Sequence, residues 1–167
     1  MKQIIIIIVI AVGVMGLGIV LFKYGNTKPT DIPLLGEIIP IQGSEHIEIG
    51  AEHDPYNSNP PTSGHMYGQD AKAGVYTRPL ADEIVVHSLE HGRIWISYKG
   101  IDPDTVNMLD DISRRYSQDV VLSPRENNDS PIALASWGRL QKLETFDEQA
   151  IIAFVKSNKN KSPEAGM

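Results

Sequence analysis

Hydrophobic positions along this chain fall into three regimes: an unbroken N-terminal run, a long stretch without a period, and a regularly patterned remainder. The run covers Ile4 to Phe22, 19 consecutive apolar or glycine residues between Lys2 and Lys23. At 1.5 Å rise per residue it reaches roughly 28 Å, close to the roughly 30 Å hydrocarbon core of a bilayer. It has no polar stripe of the kind that a helix on a soluble core carries. The pattern predicts one transmembrane helix at 1–23. The apolar part exceeds a signal-peptide core of about 7–15 residues, and no A-x-A-like site precedes Tyr24-Gly25-Asn26, which favours an uncleaved anchor over a cleaved signal. Lys2 against Lys23 and Lys28 barely orients the helix, and the short N-terminal segment makes N-in, C-out the simpler topology. The expected location is therefore the cell membrane, single-pass, with the C-terminal domain extracytoplasmic.

Residues 24–44 read as a linker, broken by Pro29, Pro33 and Pro40, with Ile38, Ile39 and Ile41 able to form a short edge strand. From Gly43 to about Leu80 no period is evident, and Asn57-Ser58-Asn59-Pro60-Pro61-Thr62-Ser63-Gly64 is turn chemistry throughout. A loop of that length in a compact domain is functional or disordered, and its tyrosines and histidines favour order. Beyond Asp82, β-branched Ile84-Val85-Val86 predict a strand over Glu83–His87. Arg93–Tyr98 predicts a second, with Ile94, Ile96 and Tyr98 on one face. A helix follows, capped by Asp102 with Pro103 in its first position, its apolar face set by Val106, Leu109, Ile112 and Tyr116. Strands at 119–123 and 132–137 come next. A last helix is introduced by a capping box, Thr145-Phe146-Asp147-Glu148, and buries Ile151, Ile152 and Val155.

These elements make an α+β fold, a small mixed sheet with two packed helices, whose second half has a thioredoxin-like order. The crossover from 93–98 to 119–123 should be parallel and right-handed. The domain is expected at 45–157, with a flexible tail at 158–167.

Charge and cysteine content narrow the possible chemistry. The formal charge is −6, and it falls to −8 once Lys2 and Lys23 are set aside. An acidic domain is a poor partner for nucleic acid, which needs clustered Lys and Arg. With no cysteine there is no disulfide, no thiolate metal site and no C-x-x-C redox chemistry.

Four of the five histidines lie in two clusters beside turns. His53 and His65 bracket the proline-rich loop, and His87 and His91 stand four apart. Neutral imidazole is the commonest metal ligand, so these four, with Met66 or Glu90 completing the shell, point to copper or zinc. Equally, histidines in turns often serve only to bond backbone carbonyls. His46, in Ser44-Glu45-His46, reads as a surface residue. His87-Ser88-Leu89-Glu90-His91 also matches the H-x-x-E-H of inverted zinc peptidases, with Glu90 as general base, but that chemistry needs a helix where the residue types favour a strand.

Tyr56-Asn57-Ser58-Asn59-Pro60-Pro61-Thr62-Ser63-Gly64-His65, Gly74-Val75-Tyr76, His87-Ser88-Leu89-Glu90-His91-Gly92 and Ala135-Ser136-Trp137-Gly138 together resemble the bacterial and archaeal domain of unknown function 3105 over residues 45 to 157. The resemblance implies a domain behind an N-terminal membrane helix, places His65, His87, Glu90 and His91 within signature motifs, and carries no activity. The family's loop commonly reads Gly-Pro-His where this chain has Gly64-His65-Met66. Three functions follow as expectations: a membrane-anchored metal-binding domain, a cell-envelope protein-interaction domain with structural histidines, and a metal-dependent hydrolase using Glu90.

Overall fold

A computed structural model describes residues 33–165. The predicted anchor at 1–23 lies outside the described residues, among which no helix is long and apolar enough to cross a membrane.

The elements run β1 (Glu37–Ile38), β2 (His46–Ile47), β3 (Met66–Tyr67), β4 (Gly74–Val75), α1 (Asp82–Glu90), β5 (Ile94–Tyr98), α2 (Pro103–Arg115), β6 (Val120–Pro124), β7 (Ile132–Ser136), β8 (Arg139–Leu143) and α3 (Glu148–Asn158). Six strands form one mixed sheet in the order β1-β8-β7-β5-β6-β4, and β2 and β3 form a separate parallel pair. β5 and β6 are parallel across α2, as the crossover requires, while β7 and β8 run antiparallel to close the other side. β1 adds an edge strand on β8 from within the predicted linker.

Alternation along the central strands builds two cores. Ile94 and Ile96 of β5, Val120 and Leu122 of β6, and Ile132 and Leu134 of β7 face α2 and α3, meeting Leu109, Ile112, Ile151 and Phe154. Trp95, Val121, Ala133 and Ala135 face the opposite side and meet Val85 and Leu89 of α1 together with Ala71 and Ile39. One layer is thus a helix pair; the other is a single helix and an irregular segment.

Four expectations are corrected. Glu83–His87 is part of a helix, not a strand. Asp82 and Glu83 sit in its first turn, where the helix dipole favours acids, and Val85, Val86 and Leu89 are all fully buried. Helical spacing sets Val85 and Leu89 on one face against the core that holds Trp95, with Val86 buried beside them, and that burial overrides their β propensity. The sheet accordingly carries three helices, not two. The last helix is capped by Asp147, whose carboxylate accepts from the Ala150 amide at 2.9 Å, so the capping box is not used. β8 had no place among the predicted strands: its polar Arg139, Gln141 and Lys142 mask a strand that pairs along its length with β7.

The aperiodic 43–80 segment is ordered by polar bonds that tie it to the rest of the domain. Pro60 to Gly64 are buried, and the Asn59–Pro60 peptide is cis. Arg125, itself buried, makes a two-pronged ion pair with Asp82 (2.7 and 2.8 Å), donates to Asn59 and Asn128, and lies over the Trp95 ring. This one guanidinium ties the loop to the start of α1 and to the sheet.

Candidate metal centre

α1 ends at Glu90, with His91 as its C-cap and Gly92, at φ +86°, turning the chain out of the helix. Residues four apart share a helix face, so His87 and His91 meet: their rings lie 4.7 Å apart and their Nε2 atoms 3.0 Å apart. Two imidazole nitrogens at that distance form a hydrogen bond in which one ring donates and the other accepts.

A third imidazole arrives from far away in sequence. β2 pairs with β3 in a register that sets His46 beside Met66, and it carries the His46 ring edge-on to His87, centroids 4.8 Å apart. The potential ligand atoms of His46, His87 and Glu90 all lie within 4.8 Å of one another. His87 and Glu90 are buried (8 % and 3 % exposed), whereas His46 is exposed. A cleft of about 410 Å³ lined by His46, Ile47, Glu48, Ile49, Gly68 and Gln69 opens beside it.

The polar inventory here is unbalanced. His87 Nδ1, His91 Nδ1 and Glu90 Oε2 are buried without a hydrogen-bond partner among the described residues. Such atoms ordinarily cost about 1–3 kcal/mol each, more when charged. One arrangement of protons makes use of all of them. If His87 donates from Nε2 to His91 Nε2, its Nδ1 keeps a free lone pair, and the His91 proton sits on Nδ1, facing Glu164 Oε2 at 3.8 Å. A cation near His87 Nδ1 and Glu90 would complete their bonding, at the C-terminal, negative end of α1. The donor set of imidazole and carboxylate without thiolate fits zinc or copper.

The other expected ligands lie elsewhere. His53 and His65 do face each other, with centroids 5.1 Å apart, but both nitrogens of His53 and Nε2 of His65 have protein partners. His53 Nδ1 donates to the Asp54 carbonyl at 2.8 Å and Nε2 lies 3.2 Å from Glu83. His65 Nε2 lies 3.5 Å from Glu45. Partial burial pulls the His53 pKa down, but the Asp54 carbonyl and then the Glu83 hydrogen bond and charge outweigh it and raise it above 6.5. Burial also pushes the Tyr56 hydroxyl well above its ordinary range, and this hydroxyl donates to the His65 carbonyl at 2.6 Å. Met66 is fully buried beside His46 in the ladder. His46 is the residue that sequence reasoning missed. The only available signal was the alternation His46-Ile47-Glu48-Ile49, a hint of a strand without any hint of its partner.

The H-x-x-E-H motif occupies a true helix after all, which removes the objection drawn from its strand-forming neighbours. Yet Glu90 is buried among the candidate ligands rather than open to a substrate.

Neither a curated protein nor a solved structure matches this chain. The model of one protein family, described as a protein of unknown function (DUF3105), matches residues 50–167, a span that includes His87, Glu90 and His91 and begins just after His46. With most of its length matched, the chain belongs to the DUF3105 family.

Proposed function

We propose that this protein is a membrane-anchored, extracytoplasmic domain that binds zinc or copper through His46, His87 and Glu90, with His91 holding His87 in place. The observation that carries this reading is the meeting of three potential ligands within 4.8 Å around buried atoms that have no hydrogen-bond partner among the described residues, His87 Nδ1 and Glu90 Oε2. Three protein ligands leave a position on the ion open, and exposed His46 beside its cleft gives the ion a way in and out. An open, exchangeable site suits metal handling or sensing better than a purely structural role. The anchor rests on the Ile4–Phe22 run. The order β5-α2-β6-β7-β8-α3 and its strand pairing support a thioredoxin-like half-fold without the redox cysteines.

Full-length protein in detergent, stripped with chelator and titrated calorimetrically with zinc and with cuprous or cupric ion, tests the proposal. His46→Ala is the cleanest variant, because His46 is exposed and its loss leaves the core intact. It should weaken binding by at least about tenfold, and His87→Ala by more, whereas His53→Ala should leave affinity unchanged. Binding that ignores His46 and His87, or no binding at all, would remove the metal reading.

The helical setting of the motif also favours a second reading, a metal-dependent hydrolase in which Glu90 acts as base. Turnover of a peptide substrate by the zinc-loaded protein, lost in Glu90→Gln while zinc affinity survives, would move the assignment there.

A further inference from the structure

Residues 160–164, assigned by sequence to a flexible tail, are hydrogen-bonded along the motif end of α1. The Asn160 amide donates to the Gly92 carbonyl at 2.8 Å, Ser162 Oγ donates to the Glu90 carbonyl at 2.6 Å, and the Glu164 amide donates to the same carbonyl at 3.3 Å. The approach is close enough that a Cβ on Gly92 would stand 2.9 Å from Asn160 Cα. Asn160 itself adopts a left-handed conformation, φ 56°, to make the turn. Three consecutive motif residues, Glu90, His91 and Gly92, are thus each touched by the last few residues described.

One of these contacts points at the candidate ion. The carboxylate of Glu164 lies 3.8 Å from His91 Nδ1, while His91 Nε2 lies 3.0 Å from His87 Nε2. Carboxylate, imidazole, imidazole and ion position then stand in series. Metal-bound histidines almost always hand their second ring N–H to an acceptor that fixes tautomer and orientation. Here His91 is the acceptor for His87, and Glu164 is the group that can hold the His91 proton on Nδ1 and so keep Nε2 free to accept.

We infer that the C-terminal segment Asn160–Glu164 is a strap over the metal centre and that Glu164 is a positioning residue, acting on the ion through His91 and His87. This inference rests on the metal reading above and adds to it a coupling between strap and ion. If the seated strap raises affinity by some factor, the ion must stabilise the seated strap by the same factor.

The experiment uses the full-length protein, stripped of metal, with zinc as the probe. Zinc affinity is measured by calorimetry, and exchange of backbone amides in 158–165 by mass spectrometry with and without zinc. Wild type should bind zinc and show slower exchange in this segment when loaded. Glu164→Gln should lose about tenfold in affinity and most of the zinc-induced protection, with an unchanged melting temperature in chelator. Glu164→Asp should recover part of both. Ser162→Ala, which removes the strap's side-chain hydrogen bond to the Glu90 carbonyl and leaves every proposed ligand side chain in place, should reproduce the loss of protection if the Glu164 variant fails to fold. Wild-type zinc binding with normal affinity in both Glu164→Gln and Ser162→Ala, and exchange in 158–165 indifferent to zinc, would overturn the strap while leaving the metal site standing. No zinc binding by wild type would overturn both.

Discussion

His53 shows how a single partner decides what an imidazole does. Its raised pKa follows from the Asp54 carbonyl and Glu83 winning over partial burial, so the folded state holds a proton that the unfolded chain releases earlier. A pKa raised on folding adds stability that is complete below the unfolded value, near 6.5, and fades as pH rises through the folded value. Replacing Glu83 with Gln should therefore lower the melting temperature at pH 5.5 by a few degrees, equivalent to about 1 kcal/mol for this partly buried pair, and hardly at all at pH 8.5. Thermal scans across that range check it; an equal loss at both pH values would mean that the pair contributes packing rather than charge. The same proton preference makes His53 a poor ligand, whereas His87 Nδ1 is buried without a hydrogen-bond partner among the described residues.

At the scale of elements, α1 is the piece on which the site depends, and tertiary packing holds it. Nine residues are too few for a stable isolated helix, and Ile84, Val85 and Val86 are weak helix formers. Val85, Val86 and Leu89 are fully buried, with Val85 and Leu89 in the core that also holds Trp95 and Val121. Ser88 adds a buried lock, accepting from the Ala71 amide at 2.9 Å and donating to the Ala71 carbonyl at 3.0 Å. A peptide of residues 80–92 should accordingly show no helical circular dichroism in water. In the intact protein Leu89→Ala should cost about 2–5 kcal/mol by urea denaturation. A helical peptide together with a cost below about 1 kcal/mol would show that local propensity, not burial, sets this element.

For the whole molecule, the described residues from Pro33 onward form a compact unit with cores on both faces of its sheet. A fragment starting at Tyr24 should therefore fold and remain a dispersed monomer, while the full chain should resist carbonate extraction from membranes and keep its N-terminus by intact-mass measurement. Size exclusion and circular dichroism test the first part. Aggregated fragment would mean that Ile4–Phe22 covers part of the domain. A mature chain beginning near Tyr24 would turn the anchor into a cleaved signal. Saturating zinc should further stabilise the loaded domain by about 2.7 kcal/mol at a hundredfold excess over Kd, a rise of roughly 10 °C in melting temperature.

The elements legible in the sequence are those whose cause is local. Asp102 and Pro103 announce α2, and the carboxylate of Asp102 does accept from the Thr105 amide. Alternating Ile94 and Ile96 announce β5, and the α+β class and parallel crossover follow from their order. What only the tertiary structure decided is whatever depends on a distant partner. Ile84-Val85-Val86 has the composition of a strand and becomes a helix because helical spacing buries Val85 and Leu89 on one face, with Val86 beside them. β8 looks polar and is a strand because β7 offers it a full ladder. His46 looks like surface and joins the site because β2 pairs with β3, twenty residues on, and the tail reaches His91 because Gly92 leaves room for it. Hydrophobic period and capping act within a few residues, so they can be read along the chain. A cluster of ligands is a matter of distance in space, which pairing and packing set across the whole domain.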